Sequence, residues 1–264
     1  MDPDVVAHYT SGLEEPRLVE GGSSRIEFAR TKDLLARHLP DPPAQILDVG
    51  GGPGRYSSWL AGRGYDVDLI DPVPLHVEQA EARAATGPRF AVQLADARHL
   101  PGGDGTYDVV LLMGPLYHLP DRKDRIQALS EARRVVREGG SVIVAAISRF
   151  ASLLDGLKTG LLSDPDFAAI VRGDLDSGEH RNRTGRLEFF TTAYFHHPDE
   201  LPEEIDEAGL RFETMYGVEG PGWLLFERWD DEQDQENILR VAQAVETEPT
   251  VMGLSLHFLA ISSR

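Results

Sequence analysis

A glycine-rich turn between an apolar run and a helical stretch constrains this chain more than any other feature. The apolar run 45–49 leads directly into Gly50-Gly51-Gly52-Pro53-Gly54, and Asp71 closes the next apolar run, 21 residues beyond Gly50. Glycine lets the backbone turn sharply and approach a ligand without a Cβ in the way. In open α/β sheets, such a turn followed by an acid at the end of the next strand holds an adenosine-bearing cofactor.

The surrounding pattern indicates a doubly wound α/β sheet. Through the first 150 residues, short apolar runs alternate with helical stretches, as expected for parallel strands joined by crossover helices. The predicted strands of this part are residues 45–49, 65–71, 89–94, 107–113 and 141–147, and Gly139-Gly140 is predicted to close the helix before the fifth. The later elements are a helix at 199–208, a strand at 212–218, a helix at 235–245 and a strand at 254–262.

We predict a single domain, 1–264, in which two segments lie outside this alternation. Residues 1–43 are predicted to form an N-terminal helical cover: a polar stretch at 9–22, then a helix that begins with the capping-box pattern Ser24-Arg25-Ile26-Glu27. Residues 150–198 are too many for a plain connection, so we predict a lid or substrate-recognition insertion between strands 5 and 6. Residues 44–149 would form the cofactor-binding half, and residues 199–264 the C-terminal part of the sheet.

Composition excludes several classes of function. The chain has 44 Asp and Glu against 26 Lys and Arg, a formal net charge of −18, which disfavours a nucleic-acid partner. The absence of cysteine excludes disulfides and thiolate sites. No apolar run approaches the roughly 18 residues of a membrane span, and Met1-Asp2-Pro3-Asp4 does not resemble a signal peptide. We therefore expect a cytoplasmic protein without a membrane partner.

The turn alone does not identify the cofactor. A nicotinamide fingerprint, G-x-G-x-x-G, counted from Gly50 would need glycine where Arg55 stands. Counted from Gly52 it would need a small residue at 57, and Ser57 satisfies that. Spacing therefore leaves a nicotinamide cofactor open.

A wider set of motifs resembles the class I S-adenosylmethionine-dependent methyltransferases. The set comprises Asp48-Val49-Gly50-Gly51-Gly52-Pro53-Gly54, Asp71, Asp96-Ala97, Tyr107-Asp108-Val109-Val110-Leu111-Leu112 and Val135-Val136-Arg137-Glu138-Gly139-Gly140. The resemblance covers about residues 45–149 by motif and 199–264 by element order. It implies a seven-stranded, mostly parallel, Rossmann-like sheet whose last strand, 254–262, is antiparallel and lies beside the sixth. It also implies S-adenosylmethionine as cofactor and S-adenosylhomocysteine as product.

The resemblance assigns the cofactor residues one by one. Gly50, Gly52 and Gly54 would lie against the methionine and ribose portions, and Asp71 would bind the ribose hydroxyls. Asp96 and the backbone of Ala97 would meet the adenine amine, while Met113 and Gly114 would lie beside the sulfonium. Asp48 could organise the loop or neighbour the amino group of the donor, and both alternatives stay open. Arg25 is the candidate for the carboxylate of the donor, and Tyr9 for a closing residue.

The sequence constrains the residues that would bind the methyl acceptor less strongly than those that would bind the donor. The motif Gly114-Pro115-Leu116-Tyr117 departs from the Asn-Pro-Pro-Tyr type of many amino-group methylators of nucleobases and proteins, which favours a small-molecule acceptor. His118 and Tyr117 are the catalytic candidates, although a general base is needed only if the acceptor must lose a proton. Candidates for acceptor contact are His180, Arg181, His196, His197 and Trp223, each of which could equally be structural.

No metal site is predicted, because the adjacent His196 and His197 would point to opposite faces of a strand.

The predicted function is methyl transfer from S-adenosylmethionine to an O, N or C atom of a small molecule. The alternatives are an RNA-modifying methyltransferase acting on tRNA, in which Arg181, Arg183 and Arg186 would meet phosphates; a nicotinamide oxidoreductase; and a catalytically inactive S-adenosylmethionine-binding regulator.

Overall fold

A central, mostly parallel β-sheet forms the middle layer of the molecule. The computed structural model describes residues 3–10, 12, 14 and 22–264. Its strands are β1 Gln45–Val49, β2 Asp66–Asp71, β3 Ala91–Leu94, β4 Tyr107–Leu112, β5 Val136–Ser148, β6 Glu179–His180, β7 Ala193–His196, β8 Arg211–Gly217 and β9 His257–Ser263. Its α-helices are α1 Pro3–Thr10, α2 Gly22–His38, α3 Arg55–Ala61, α4 Pro74–Thr86, α5 Arg122–Val135, α6 Ala151–Thr159, α7 Pro165–Ser177, α8 Glu200–Glu207 and α9 Glu232–Val245.

The strand order confirms the predicted topology. Strands β1 to β5 pair in parallel in the order β3-β2-β1-β4-β5. Strand β9 pairs antiparallel with both β5 and β8, so it lies between them. The chain therefore has the doubly wound sheet expected from the sequence, with one antiparallel strand inserted beside the sixth predicted strand.

The hairpin β6–β7 adds two short strands to this sheet. Ile147, near the end of β5, pairs with His257 of β9 on one side and with Phe195 of β7 on the other. Strand β4 occupies that second side only as far as the pair Leu112–Val144. The hairpin therefore continues the sheet beyond β4, at the edge where the parallel strands end.

The central strands are apolar because helices cover both faces of the sheet. Along β4, Val109 and Leu111 face one core, which includes Leu34 and Leu35 of α2. Val110 and Leu112 face the other core, which contains residues of α5 and α8. Successive side chains of a strand alternate between faces, so a strand covered on both faces has an almost continuous apolar sequence.

Two local predictions are wrong. Helix α5 ends at Val135 and β5 begins at Val136, so Gly139-Gly140 lies within the strand instead of closing the helix. A Cβ on Gly140 would lie 2.7 Å from the carbonyl oxygen of Asp108, which explains the glycine. Helix α2 begins at Gly22, so Ser24 lies inside it and is not its N-terminal cap.

The N-terminal segment is described only in part. Tyr9 and Thr10 end helix α1, which the sequence analysis did not predict. Most of the predicted polar stretch 9–22 lies outside the described residues. Among the described residues, none of the helices combines the length and the apolar character needed to cross a bilayer.

A buried ionic cluster joins the insertion to helices α5 and α8, which pack on one face of the sheet. Arg125 of α5 donates from Nη2 to Glu204 Oε1 of α8 at 2.7 Å, and Glu204 Oε2 lies 3.2 Å from His196 Nε2 of β7. The guanidinium of Arg125 also stacks 3.6 Å from the ring centroid of Tyr194. Burial alone would raise the pKa of Glu204, but the hydrogen bonds from His196 and Arg125 outweigh it and lower the pKa to about 2.

We expect Glu204→Gln to destabilise the fold by about 3–5 kcal/mol at pH 7, because the charge of Arg125 would remain buried without its partner. The pKa of Glu204 falls from 4.5 to about 2 on folding, so its carboxylate stabilises the fold above about pH 4.5. That contribution is lost as the pH falls through about 2. Urea unfolding of both proteins at pH 7 and at pH 3 measures the difference, which should be smaller at pH 3.

Glu207→Gln is the matched control on the same helix, because Glu207 is exposed and pairs with Arg122 at the surface. Exposed pairs contribute only about 0–1 kcal/mol. Equal destabilisation by the two substitutions would show that the buried cluster does not hold α8.

Candidate active site

The glycine-rich turn joins β1 to α3 at the carboxyl edge of the sheet. Gly50, Gly52 and Gly54 have φ values of 71°, 54° and 80°, in the left-handed region. The Gly50 N–H donates to the carbonyl of Ile70 at 2.8 Å, which ties the turn to β2. A Cβ on Gly50 would lie 2.8 Å from Pro115 Cδ, so position 50 requires glycine for space as well as for conformation.

Asp71, the last residue of β2, is bonded to the turn. Its Oδ2 accepts from the Gly52 N–H at 3.0 Å. Its Oδ1 accepts from the Val73 N–H at 2.9 Å and lies 3.1 Å from His76 Nδ1. The side chain is almost completely buried and lines the cleft above the turn. Its orientation is therefore fixed without any ligand.

Asp48 lies beneath the turn and not on the surface of the cleft. It is fully buried, and its Oδ2 accepts from Ser57 Oγ at 2.6 Å. A Cβ on Gly51 would lie 2.8 Å from the same oxygen. Among the described residues, Asp48 Oδ1 has no hydrogen-bond partner. Burial raises the pKa of Asp48 to about 6, although the hydrogen bond from Ser57 opposes the shift.

The next strands complete the cleft. Asp96 and Ala97 follow β3, while Met113 and Gly114 follow β4, and all four residues line the same cleft as Asp71. Asp96 accepts from Arg98 Nη2 at 2.7 Å, and this guanidinium lowers the pKa of Asp96. The carboxyl ends of parallel strands converge at one edge, which is where open α/β sheets bind ligands.

Tyr117 and His118 form the wall of the cleft nearest to the insertion. They lie in a 3-10 helix, Leu116–His118, and both line the cleft. Tyr117 donates from its hydroxyl to the Met113 carbonyl at 3.2 Å. His118 Nε2 lies 2.7 Å from the Tyr9 hydroxyl of α1, and its Nδ1 lies 3.4 Å from the Thr192 carbonyl. His118 therefore connects the N-terminal helix to the insertion.

A second cavity adjoins the cleft and shares Tyr9, Glu14 and Tyr117 with it. Much of its wall is apolar and includes Ile147, Phe167, Phe189, Phe190, Phe195 and Leu256. Its polar wall residues include His8, Ser152, Asp155, His180, Glu188 and His257. Cleft and cavity together can place two different molecules side by side.

Of the residues predicted for acceptor contact, His180 alone lines this cavity. It is buried, with Nδ1 3.0 Å from Asp174 Oδ2 and Nε2 2.7 Å from the Phe189 carbonyl. Its ring stacks on Phe195 with centroids 4.9 Å apart. Both ring nitrogens thus contact protein oxygens, which fixes the hairpin of the insertion.

The other predicted residues lie elsewhere. Arg25 pairs with Asp230 at 2.5 Å and does not line the cleft. His196 belongs to the buried ionic cluster, and burial lowers its pKa. The exposed His197 lies 3.5 Å from Asp199.

Arg181 and Trp223 are also outside the second cavity. Arg181 pairs with Glu179 at 3.3 Å and lines a separate surface cavity beside Arg98. The buried Trp223 donates from its indole N–H to the Leu254 carbonyl at 2.8 Å. For Arg181 and Trp223, contact with the acceptor therefore stays a prediction.

Several residues of the site were missed from the sequence, among them His76 and Asp155. His76 lines the cleft and contacts Asp71, five residues before it in the chain. Asp155 lines the second cavity. The signal for Asp155 was present, because it is a lone acid in the helical run Leu153-Leu154-Asp155-Gly156-Leu157. No comparable signal distinguished His76 from an ordinary surface histidine.

Comparison with known proteins agrees with this geometry. Residues 46–140 match the family model described as a methyltransferase domain. The crystal structure of an S-adenosylmethionine-dependent methyltransferase from Methanosarcina mazei superposes with a TM-score of 0.61 at 19% identity, over 88% of this chain and 96% of that one. Residues 46–140 therefore contain a methyltransferase domain, and the fold is that of the S-adenosylmethionine-dependent methyltransferases.

The individual relatives of this chain are distant. The methyltransferase GfsG of Streptomyces halstedii is 29% identical over 68% of this chain and 57% of its own length. A ubiquinone biosynthesis O-methyltransferase of Methylocella silvestris is 29% identical over 85% of this chain and 90% of its own. The chain spans only 39% to 57% of the length of the first relatives it matches.

The residues of the cleft fit S-adenosylmethionine, the methyl donor that this family and fold imply. The donor carries a ribose with two hydroxyl donors, and an oriented carboxylate, Asp71, faces the cleft beside the turn. A Cβ on Gly52, which has a positive φ, would meet only Glu14 Cγ, at 3.8 Å, among the described residues, so the backbone of the turn is open to the cleft at this position. The nicotinamide alternative has no comparable support from the matched family.

We expect the pH dependence of stability of the wild-type protein to differ from that of its Asp48→Asn variant. The pKa of Asp48 rises from 3.8 to about 6 on folding, so the ionised carboxylate destabilises the fold at high pH. Between pH 8 and pH 5 the wild type should therefore gain about 1–2 kcal/mol relative to the variant. Urea unfolding at both pH values measures it, and a constant difference would show that the buried carboxyl does not titrate in this range.

Proposed function

We propose that this methyltransferase transfers a methyl group from S-adenosylmethionine in the cleft to a small molecule in the second cavity. The observation that carries the proposal is the contact between the two spaces, which share Tyr9, Glu14 and Tyr117. Methyl transfer requires the nucleophile and the methyl carbon in line, and orientation of this kind can supply roughly 7–11 kcal/mol. Two adjoining spaces at one sheet edge can provide that orientation.

On the donor side, the protein binds S-adenosylmethionine and orients it. Bound in the cleft, S-adenosylmethionine supplies a methyl group that its sulfonium already activates. Asp71 would accept the ribose hydroxyls, and its bonds to Gly52 and Val73 keep its carboxylate in place. Asp96 and Ala97 would contact the adenine, and Met113 and Gly114 would border the reacting centre. Asp48 supports the turn from below through Ser57.

We expect Asp71→Ala to lower the affinity for S-adenosylhomocysteine by a factor of tens, because a charged acceptor for two hydroxyls is lost. Calorimetric titration with S-adenosylhomocysteine measures this, and titration with NAD should give no binding. Asp66→Ala is the control, since Asp66 begins the same strand and bonds to Gln45 at the surface. Near wild-type affinity of the Asp71 variant would place the ribose elsewhere.

On the acceptor side, the insertion 150–198 supplies much of the cavity wall, including Ser152, Asp155, Phe167 and His180. This supports its role as the segment that recognises the acceptor and covers it. Helix α1 would cover the donor cleft through the contact between Tyr9 and His118. We assign His118 and Tyr117 an orienting role, because both are bonded to neighbouring backbone or side-chain oxygens at the boundary between the two spaces.

The charges of the second cavity favour a neutral or cationic acceptor with an apolar body. Among the described residues, its wall contains the acids Glu14, Asp155 and Glu188 and neither Lys nor Arg. Two arginines of the insertion form ion pairs: Arg181 with Glu179, and Arg186 with Asp164 and with the wall residue Glu188. An RNA acceptor would need free basic side chains for its phosphates.

Methyl transfer is tested by incubating the protein with S-adenosylmethionine and a small-molecule library, or with tRNA, and measuring S-adenosylhomocysteine by mass spectrometry. Product formation with library members and not with tRNA is the expected result. Methylated tRNA would overturn the small-molecule assignment. S-adenosylhomocysteine binding without turnover of any acceptor would instead support a regulatory protein.

Within that library, we expect Asp155→Asn to reduce the preference for amines over alcohols of the same skeleton by about tenfold. Burial raises the pKa of Asp155, and among the described residues no side chain neutralises it, so a bound ammonium would be its natural partner. The ratio of kcat/KM values for matched amine and alcohol pairs measures the effect. Asp176→Asn, an exposed acid of α7, should leave the ratio unchanged, and an unchanged ratio in both variants would remove Asp155 from recognition.

A further inference from the structure

A buried histidine beside Asp71 lines the donor cleft and has no role in the function proposed so far. His76 is the third residue of α4, the helix that follows β2. Its Nδ1 lies 3.1 Å from Asp71 Oδ1, and its side chain is only 5% exposed. Both residues line the cleft. His76 is therefore placed beside the carboxylate that we assign to the ribose of the donor.

The second ring nitrogen of His76 is unpaired. Its Nε2 is shielded from solvent and has no hydrogen-bond partner among the described residues. The ring of Tyr9, from the N-terminal helix α1, packs edge-on to the imidazole, with centroids 5.2 Å apart. A buried polar atom without a partner costs free energy, so a native protein that has one needs a reason for it. Because His76 lines a ligand cleft, a ligand is the natural partner.

The bond to Asp71 determines what Nε2 of His76 can offer. A carboxylate accepts hydrogen bonds only, so Nδ1 is the donor of this bond. In a neutral ring Nε2 is then an acceptor, and in a charged ring it is a second donor. A hydroxyl group both donates and accepts, so it can pair with Nε2 in either state. The structure thus places a hydroxyl-binding atom on a residue bonded to Asp71.

The carboxylate of Asp71 has little hydrogen-bonding capacity left. An ionised carboxylate accepts at about four lone-pair sites, two on each oxygen. Oδ1 accepts from the Val73 N–H and from His76 Nδ1, and Oδ2 accepts from the Gly52 N–H. Three of these sites are therefore taken within the protein, and one site on Oδ2 is left for a ligand.

A ribose needs more than this single site. Its two hydroxyls are on adjacent carbons, and each has a proton to donate. One hydroxyl can donate to the remaining site on Asp71 Oδ2. The other needs a second partner close to the first, and His76 meets this requirement, because its ring is bonded to the same carboxylate and its Nε2 is unpaired among the described residues.

We propose that His76 is a second ribose-binding residue, so that the two hydroxyls of the donor are divided between Asp71 Oδ2 and His76 Nε2. The inference rests on the proposed function and refines it, because there Asp71 alone accepts the ribose hydroxyls. His76 determines donor specificity and takes no part in the chemistry of methyl transfer. A ligand that lacks the hydroxyl at His76 leaves Nε2 buried without a partner, and this is the source of the discrimination.

Two variants separate ribose binding from a purely structural role of His76. The amide nitrogen of asparagine can take the place of Nδ1, so His76→Asn keeps the bond to Asp71 and lacks Nε2. The amide of glutamine extends to the position of Nε2, so His76→Gln retains a polar group there and loses the bond to Asp71. Glu78→Gln, at an exposed position two residues further along the same helix, is the control for α4.

Calorimetry with S-adenosylhomocysteine and with its 2′-deoxy and 3′-deoxy analogues measures the contact. We expect the wild type to bind each analogue about tenfold more weakly than S-adenosylhomocysteine. In His76→Asn, one analogue should bind as tightly as S-adenosylhomocysteine, because the hydroxyl that it lacks no longer has a partner, whereas the other should still lose about tenfold. His76→Gln should keep both preferences, and Glu78→Gln should match the wild type. These ratios do not depend on how much of each variant is folded.

Three results would overturn the inference. The first is a wild-type ratio for both analogues in His76→Asn, because Nε2 would then contact neither hydroxyl. The second is loss of the preferences in His76→Gln alone, which would show that His76 only holds Asp71 in place. The third is equal binding of all three ligands by the wild type, which would place the ribose elsewhere with the donor still bound. Absence of S-adenosylhomocysteine binding by the wild type would instead refute the proposed function, and the inference with it.

Discussion

The carboxylate of Asp71 is the point on which the donor side of the molecule depends. One of its oxygens accepts from the glycine-rich turn at Gly52, and the other from Val73 at the start of α4. These bonds fix the turn after β1 against the end of β2 without any ligand. Without Asp71 the N–H of Gly52 would lose this partner, and an unpaired backbone N–H is costly where water is excluded. The shape of the cleft is therefore a property of the folded chain, and binding need not organise it.

On the acceptor side, ion pairs as well as strand pairing fix the insertion to the rest of the protein. The insertion reaches the helices below through Arg125, Glu204 and His196, and its end is bonded to Arg149, which also pairs with Glu200 at 2.7 Å. Buried ion pairs contribute little net stability compared with apolar packing, but breaking one is expensive. These ion pairs form in one arrangement of the insertion. They therefore fix the position of the cavity walls relative to the cleft.

The sheet was predictable because buried parallel strands have an unmistakable apolar sequence, as at Val109 to Leu112. The errors have physical causes. Gly139 and Gly140 resemble the end of a helix, whereas they allow β5 to begin early against Asp108. Helix α1 has only eight residues, Pro3–Thr10, and the stability of so short a helix depends on tertiary contacts that its sequence does not show.

The site was predictable only where local sequence determines it. The turn and Asp71 follow from strand ends and spacing, but the partners of histidines depend on the tertiary fold. His180 and His196 are bonded to Asp174 and Glu204, neither of which has a distinctive motif. Burial and pairing of this kind arise only when the sheet edge is assembled.

The position of β7 determines how a molecule can reach the second cavity. Because β7 is hydrogen-bonded to the end of β5 on the side that β4 leaves open, the insertion is joined to the sheet near its C-terminal end. Swinging it away would break strand pairing and the ion pairs beneath it. Helix α1, in contrast, meets the cleft through side chains such as Tyr9 at its last turn. Donor and acceptor should therefore enter and leave the active site through one shared opening, on the side of the N-terminal helix α1.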